Sequence, residues 1–505
     1  MNTKLLRQKI LDLAIRGKLT DQRKSDGTAA DLLKDIAEAK PKKNGVILNG
    51  ARSAKSKDPK QIIPLDKSEA PFEIPDNWEW VCVDSIASLI TDGEHLTPRR
   101  VESFEGYYLL SARNIQDNAI LLNDVDYVDE DEYNRIARRC NPRKNDVLIS
   151  CSGSIGRIAI VKDDNKYVMV RSAAMIRPVL IHSYYLMYAL QSNCLQNQIQ
   201  NYSKQTAQAN LFQAAIRALQ IPLPPLAEQQ LIAEKIEEAF AEIDAVEKNK
   251  ELLKTHIKQT RQKILDLAIH GKLVPQDKND EPAGVLLEKI LQEKAQSDNK
   301  KSPKKKKTDN LATSDNRPYK KNGSVSAEDA PFDIPNSWVW AKLGDICVYG
   351  ECDNIEVKNI SDDAWILELE DIEKDSGRII NFITKKERQI NGVRHSFKEG
   401  DVLYSKLRTY LNKVLVAPQD GFCSTEIMPI KADHLLNHYL NIVLRSQYFL
   451  EYTSLCGYGV KMPRLSTADA KKALIPLPPL AEQKRIASKI ESLFSVLDAM
   501  GKECD

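Results

Sequence analysis

The residues of this chain best suited to chemistry are hydrogen-bond donors and cations gathered in short polar segments. TDGEHLTPRR at 91–100 follows an apolar stretch and presents His95, Thr97, Arg99 and Arg100. Arg113 and Asn114 close YYLLSARNI at 107–115. The glycine-rich turn SCSGSIGR at 150–157 offers Ser152, Ser154 and Arg157, and its backbone N–H groups can approach phosphate. Lys204, Gln208 and Asn210 come shortly before IPLPPLAEQ. Further on, Tyr404, Lys406, Arg408, Asn412 and Lys413 fall on one strand–turn–strand segment, with Lys461 and Arg464 after the next helix. Arg and Lys pair with guanine, Asn and Gln with adenine, and cations with phosphate, so these residue types can read nucleic acid. Each also has a plainer reading: a solvated loop at 91–100, a tight hairpin at 150–157, and core side chains among the 404–413 set by strand alternation.

Chemistry of the bond-making kind is not indicated. Both Pro-Pro pairs follow leucine and precede Leu226 and Leu480, so they read as helix starts rather than as part of a methyltransferase tetrapeptide. Gly457 and Gly459 form a lone GxG, and no GxxxxGK[ST] phosphate loop occurs. The nine cysteines are scattered without a CxxC or a Cys/His cluster, which argues against a zinc site or a disulfide frame and for a reducing cytoplasm.

The elements that must position the polar segments are written twice. LRQKILDLAIRGKLT at 6–20 returns as TRQKILDLAIHGKLV at 260–274, and IPLPPLAEQQLIAEKIEEAF at 221–240 returns as IPLPPLAEQKRIASKIESLF at 475–494, both displaced by 254 residues. APFEIPDNWEW at 70–80 is echoed as APFDIPNSWVW at 330–340, displaced by 260. Between these copies the halves barely resemble each other. A duplicated frame carrying two unlike inserts presents two different surfaces. Setting Thr206 against Val460 places Gln208 and Asn210 opposite Met462 and Arg464, which would give different base preferences at one geometric place.

Periodicity predicts a helix over 3–18, with Leu6, Ile10, Leu13 and Ala14 on one face and Gly17 as its C-cap, and a short helix near 29–40 matched by 283–294. From Leu226 to about Ile269 there is neither proline nor glycine. Apolar residues recur there at Ile232, Ile236, Phe240, Ile243, Val246, Leu253, Ile257, Ile264 and Leu267, a coiled-coil seam on a rod of roughly 65 Å. The second such helix stops at Asp505, and the N-terminal helix supplies the register that is missing. The repeat is therefore circular, cut inside one of two antiparallel rods. In the first insert, strands are expected in 107–115, 145–161 and 166–178 and a helix over 183–199. In the second, strands are expected in 364–372, 401–417 and 422–431 and a helix over 438–453. Trp78, Trp80, Trp338 and Trp340 sit at matched positions and read as packing rather than base-stacking residues.

With 42% hydrophobic and 29% charged residues, the composition permits real cores beside long polar helices. No apolar run reaches the length of a membrane span, and the N-terminus reads as an amphipathic helix rather than a signal peptide. A net charge of +2 argues against coating DNA by charge alone but not against local patches. The basic stretches at 40–60 and 294–321 read as tethers with at most salt-sensitive phosphate contact.

The paired LDLAIxGKL segments, the paired IPLPPLAEQ helices, the IPxxWxW openings and the circular half-repeat together resemble the specificity subunit of type I restriction–modification systems. GDVLYSKLRTYLNKVLVAP at 400–418 and ITDGEHLTPRR at 90–100 also look like pieces of that family's target recognition domains. The resemblance covers essentially the whole chain. It implies an α+β fold in which two globular α/β target recognition domains are joined by two long antiparallel coiled-coil helices with a pseudo-twofold circular repeat. Its parts would be an N-terminal helical segment (1–40), a basic linker (41–69), the first recognition domain (70–221), a central spacer helix and short helix (222–293), a Lys-rich linker (294–329), the second recognition domain (330–475) and a C-terminal spacer helix (476–505). It further implies a subunit without catalysis, cofactor or metal of its own. Each domain would read one half of a split double-stranded DNA target, and the helices would set the gap. Two methyltransferase subunits using S-adenosylmethionine would dock on it, joined in the full complex by two restriction–translocase subunits using ATP and Mg. The expected location is the cytoplasm, with no membrane contact. The alternatives are the specificity component of a system with a fused methyltransferase–nuclease partner, a self-contained methyltransferase or nuclease, and a structural coiled-coil adaptor.

Overall fold

Residues displaced by 254 along the chain make the same contacts twice. Arg7 pairs with Asp244 at 2.5 Å and lies over the Phe240 ring, and Arg261 pairs with Asp498 at 2.5 Å and lies over Phe494. The Tyr185 hydroxyl donates to the Pro222 carbonyl and the Tyr439 hydroxyl to the Pro476 carbonyl, both at 2.6 Å. These contacts belong to two compact units, Met1–Asn249 and Lys250–Asp505. The computed structural model describes residues 2–40, 64–65, 70–102, 106–204, 209–300, 330–432, 436–459 and 462–502. Most of the two basic linkers, together with Gln208 and Lys461, lies outside the described residues.

In the first unit the helix Thr3–Ile15 starts at Asn2, whose side chain accepts from the Leu5 N–H, and ends at Gly17, where φ is +65°. Gly17 has a second reason to be glycine: a Cβ there would lie 2.4 Å from the Pro75 ring. The helix Ala29–Ala39 is capped by Thr28 and buries Leu32, Leu33 and Ile36. Its counterpart in the second unit, Ala283–Lys300, runs further than the repeat predicted.

The copied motifs that flank each insert pair with each other. Glu79–Cys82, from the WEW motif, runs antiparallel to Gln220–Leu223, from IPLPP, with Trp80 opposite Pro222. Val339–Lys342 and Leu474–Leu477 do the same, with Trp340 opposite Pro476. The prolines do restart the chain as a helix at Leu226 and Leu480. The residues before them are strands, because a two-stranded ribbon leaves proline an edge where it owes no hydrogen bond. Each insert is thus zipped shut at its neck.

Within the first insert, a four-stranded sheet runs Ala87–Asp92, Ala173–Pro178, Val147–Ser150, Ile158–Ile160. A three-stranded sheet runs Asp126–Val128, Tyr107–Leu110, Tyr167–Met169. The second insert keeps the four-stranded sheet, as Val348–Tyr349, Ile427–Lys431, Val402–Ser405, Val414–Val416. Its other sheet has five strands: Asn354–Glu356, Val393–Phe397, Gly421–Cys423, Trp365–Leu367, Ile383–Thr384. The expected helices 183–199 and 438–453 are each two helices, broken at Ser192 and Ser446. Both serines are extended, with ψ near 150°, and hydrogen-bond back to the preceding helix at 2.6 Å. Serine competes with the helix backbone in this way, a local effect that apolar periodicity does not show.

Frame and insert share one core in each unit. Leu11 and Ile15 of the first helix, Trp78 of the neck, Tyr185 and Leu190 of the insert, and Ile232, Ile236 and Phe240 of the long helix pack in a single cluster. Burying each such side chain contributes roughly 1.5–3 kcal/mol, so insert and frame cannot swivel freely. The long helix spans Leu226–Ile269 without interruption, as the absence of proline and glycine predicted. Its expected seam is only partly covered. Val246 is exposed and Leu253 and Ile257 are half-buried, while Leu265 is buried rather than Leu267. Within the first unit the partner helix begins only at Thr3, and Arg7 already lies beside Asp244 and Glu247, so the stripe beyond Ile243 outruns that cover.

Candidate nucleic-acid interface

In the first unit, four loops distant in sequence meet around Ser172. Its carbonyl accepts from the Cys151 N–H at 2.7 Å, and its hydroxyl accepts from the Ala112 N–H at 3.1 Å. The neighbouring Arg171 N–H donates to the Glu94 carbonyl at 3.0 Å, and the Leu211 N–H to the Cys151 carbonyl at 2.9 Å. The segments 91–100, 111–116, 150–157 and 209–213 therefore converge, as the polar-loop reading needs. His95, Thr97, Arg99, Arg100, Arg113 and Ser154 are exposed there, and Ser152, Arg157 and Asn210 are half-buried; Lys204 is exposed at the end of the helix Asn193–Ser203, outside these segments.

Three exposed arginines of this face are held by carboxylates. Arg99 pairs with Asp129 at 2.7 Å, Arg100 with Asp126 at 2.9 Å and Arg113 with Asp126 at 3.0 Å. His95 Nε2 lies 2.8 Å from Asp92, which also receives Arg139 at 2.6 Å. Burial of Asp92 is outweighed by Arg139, His95 and Gln213, and its carboxyl sits below the usual carboxylate range. Glu132, gripped by Arg135, is lowered to about 2. Solvent-exposed pairs of this kind are worth at most about 1 kcal/mol each, so a phosphate can replace a carboxylate as partner at little cost.

The second unit assembles its loops through the equivalent bonds. The Leu465 N–H donates to the Lys406 carbonyl at 2.9 Å, matching Leu211 and Cys151, and the Lys406 N–H donates to the Glu426 carbonyl at 3.0 Å. Arg464 pairs with Glu426 at 2.6 Å. An open cleft of about 640 Å³ lies beside these loops, lined among others by Arg388, Gln389, Asn391, Arg394, Arg408 and Lys413. Arg388 is paired with Asp371 at 2.7 Å, Arg394 with Glu368 at 2.9 Å, and Lys413 Nζ donates to the Leu369 carbonyl at 2.7 Å. Burial lowers the Lys413 pKa. Arg408 is exposed and Lys406 half-buried.

Three expected readers are placed otherwise. Asn114 is 2% exposed, and its side chain caps the turn at Ser111 while donating to the Leu121 and Asp124 carbonyls. Asn412 is 2% exposed and donates to the Arg445 carbonyl at 3.1 Å. Tyr404 is buried against Phe449, where strand alternation turns it inward. All three are internal braces. Conversely, Arg171 and the cleft residues Arg388, Gln389, Asn391 and Arg394 escaped the sequence reading, because no local pattern ties them to the other loops. The four matched tryptophans are buried, as expected of packing residues.

Among the described residues, no cluster of His, Cys, Asp and Glu could hold a metal ion. No helix among them is long and apolar enough to cross a membrane.

The α+β units with duplicated frame contacts and unlike loop faces define a class. The type I restriction modification DNA specificity domain matches residues 75–255 and again 335–503, more than half of the chain, and the chain belongs to that family. It is similar to the EcoAI specificity subunit of Escherichia coli, at 25% identity over 98% of this chain and 90% of that one. It is also similar to the EcoDI specificity subunit of Escherichia coli, at 26% identity over 71% and 72%. A chain from a solved structure of a type I R-M system, described by its complex assembly and conformational transition, aligns over 86% of this chain and 94% of its own. Its TM-score is 0.50 at 17% identity, a likeness of fold.

Proposed function

We propose that the chain is the non-catalytic specificity subunit of a type I restriction–modification complex and that its two inserts read the two halves of a split DNA target. One observation carries this reading. The frame contacts recur between matched residues in both units, down to Trp78 with Glu228 and Trp338 with Glu482, while the loop faces those frames hold differ in nearly every side chain. Selection for two different sequences on one repeated support would leave that pattern.

On this reading the spacer helices form antiparallel coiled coils related by a pseudo-twofold axis, and their length fixes the gap. Two methyltransferase subunits, binding S-adenosylmethionine, dock on the helices and inserts, and restriction–translocase subunits complete the complex. Each insert supplies a few base contacts at ~1–3 kcal/mol. A stiff frame presents the second insert at high effective concentration once the first has bound. Methylome sequencing of a host carrying this chain with its methyltransferase partner tests the proposal. The expected result is modification at two short half-sequences with a constant unspecified gap; modification at a single continuous sequence, or at none, overturns it.

A further inference from the structure

The hairpin loops at the centre of the two faces join equivalent strands, the second loop being one residue longer, and both turn left-handed at the same distance from their opening serine. Val147–Ile149 pairs with Ile158–Ile160 in the first unit, and Val402–Tyr404 with Val414–Val416 in the second. Ser150 and Ser405 open the two loops, and their N–H groups donate to the Arg157 and Lys413 carbonyls at 3.0 and 3.1 Å. The third residue after each serine has positive φ: Gly153 at +69° and Arg408 at +52°. So does the last residue before the closing bond: Gly156 at +88° and Asn412 at +49°. Asparagine is tolerated in that conformation and glycine is made for it. Arginine is not favoured there. The turn has been built with glycine once in this very chain, and an added Cβ at Gly153 would meet nothing within 4 Å.

The presence of a long side chain at a position that disfavours it points to use of the side chain. The surroundings agree. The Arg408 backbone is fixed on both sides, with its N–H donating to the Pro463 carbonyl at 2.7 Å and its carbonyl accepting from the Leu411 N–H at 2.9 Å. Among the described residues, its guanidinium hydrogen-bonds only the Met462 sulfur, at 3.4 Å. The other cations of the cleft are tied to Asp371, Glu368 or a carbonyl, and among the described residues no carboxylate pairs with Arg408. Tyr410, Tyr458 and Met462 stand exposed on the neighbouring loop positions. A phosphate contact would need neither strain nor a fixed backbone, since an arginine on any mobile surface can make one. A guanidinium plane held at a set place suits a two-pronged bond to the O6 and N7 edge of guanine in the major groove.

We infer that Arg408 is a specificity-determining residue of the second insert, reading one guanine of its half-target. The inference rests on the DNA-reading function proposed above. Its test uses the full chain in complex with its methyltransferase partner, the Arg408→Gly and Arg408→Lys variants, and DNA probes substituted at each base pair of both half-sites. Thermal stability of Arg408→Gly should match or exceed that of the parent, because glycine relieves the strain. Its affinity for the intact target should fall roughly 10–100-fold. Discrimination should vanish at one guanine of one half-site and remain at every other position, and Arg408→Lys should not restore it. An unchanged base profile in Arg408→Gly, or recovery of affinity by Arg408→Lys with a uniform profile, overturns the inference in favour of a structural or phosphate role. If the parent complex itself shows no split target, the underlying reading fails instead.

Discussion

The first unit is pinned together by one buried carboxylate, and removing its indole partner should loosen the insert without changing what it reads. Glu228 is 1% exposed and Trp78 is fully buried. Glu228 Oε2 accepts from Trp78 Nε1 at 2.8 Å, while Oε1 accepts from the Thr20 hydroxyl at 3.0 Å and Gln22 Nε2 at 2.6 Å. Three segments separated by up to 208 residues, the post-helix turn, the neck strand and the long helix, thus close on a single group. Trp78→Phe removes one donor from a buried charge. A hydrogen bond to a charged group contributes about 1.5–3 kcal/mol. The vacated ring volume adds about 1 kcal/mol, for a total of roughly 2.5–4 kcal/mol. In a unit of this size that lowers the unfolding midpoint by roughly 5–15 °C. Urea and thermal unfolding of the full chain, followed by circular dichroism, measure it. A double-mutant cycle with Glu228→Leu should return a coupling of about 1.5–3 kcal/mol. The bases read at both half-sites should be unchanged, because none of the candidate reading side chains is among the hydrogen-bond partners of the clamp. Additive losses in the cycle would refute the clamp, and a changed base preference would refute the separation of support from reading.

The second unit repeats the clamp with one donor fewer, since Val274 replaces Thr20 at the matched position. Glu482 accepts from Trp338 Nε1 at 2.9 Å and Gln276 Nε2 at 2.5 Å. Burial raises its pKa above the ordinary 4.5. The folded state therefore holds this proton to higher pH than the unfolded state does. The group's contribution is full below pH ~4.5 and is lost as pH rises through the folded pKa. Relative to Glu482→Gln, the parent should lose stability as pH rises above ~4.5; parallel melting curves at all pH values would contradict this. Val274→Thr should restore the missing donor and stabilise the unit by about 0.5–1.5 kcal/mol in urea unfolding; no change or a loss counts against it. Inserting four helical residues after Asn249 lengthens the central helix by about 6 Å, or roughly two base-pair steps. The gap in the methylated target should grow while both half-sequences persist, and altered half-sequences would reject the helix as a ruler. A chain truncated to its first half should pair with a second copy and direct methylation to an inverted repeat; a monomeric, inactive half would speak against the circular repeat.

Much of the support was legible in the sequence because it is governed by local rules and written twice. Helix limits at Leu226 and Ile269, the left-handed glycine after the first helix, and the burial of the paired tryptophans all follow from periodicity, cap chemistry and matched spacing. The strand hidden in IPLPP was not legible, since proline argues against a strand until a partner ribbon is known. The splitting of two helices at Ser192 and Ser446 was equally hidden.

The sequence by itself determined which residues carry groups able to hydrogen-bond a base or a phosphate, and that one frame holds two unlike faces. Only the tertiary structure decided which of those residues stand free to do so. Asn114, Asn412 and Tyr404 have the right chemistry and spend it inside, while Arg171 and the cleft arginines reach the loops from strands and turns elsewhere in the chain. The reason is physical: a side chain's type is local, but its exposure and its partners are set by segments far along the chain. Arg408 shows both at once. Its identity is in the sequence, but the left-handed backbone that makes that identity costly exists only in the folded turn.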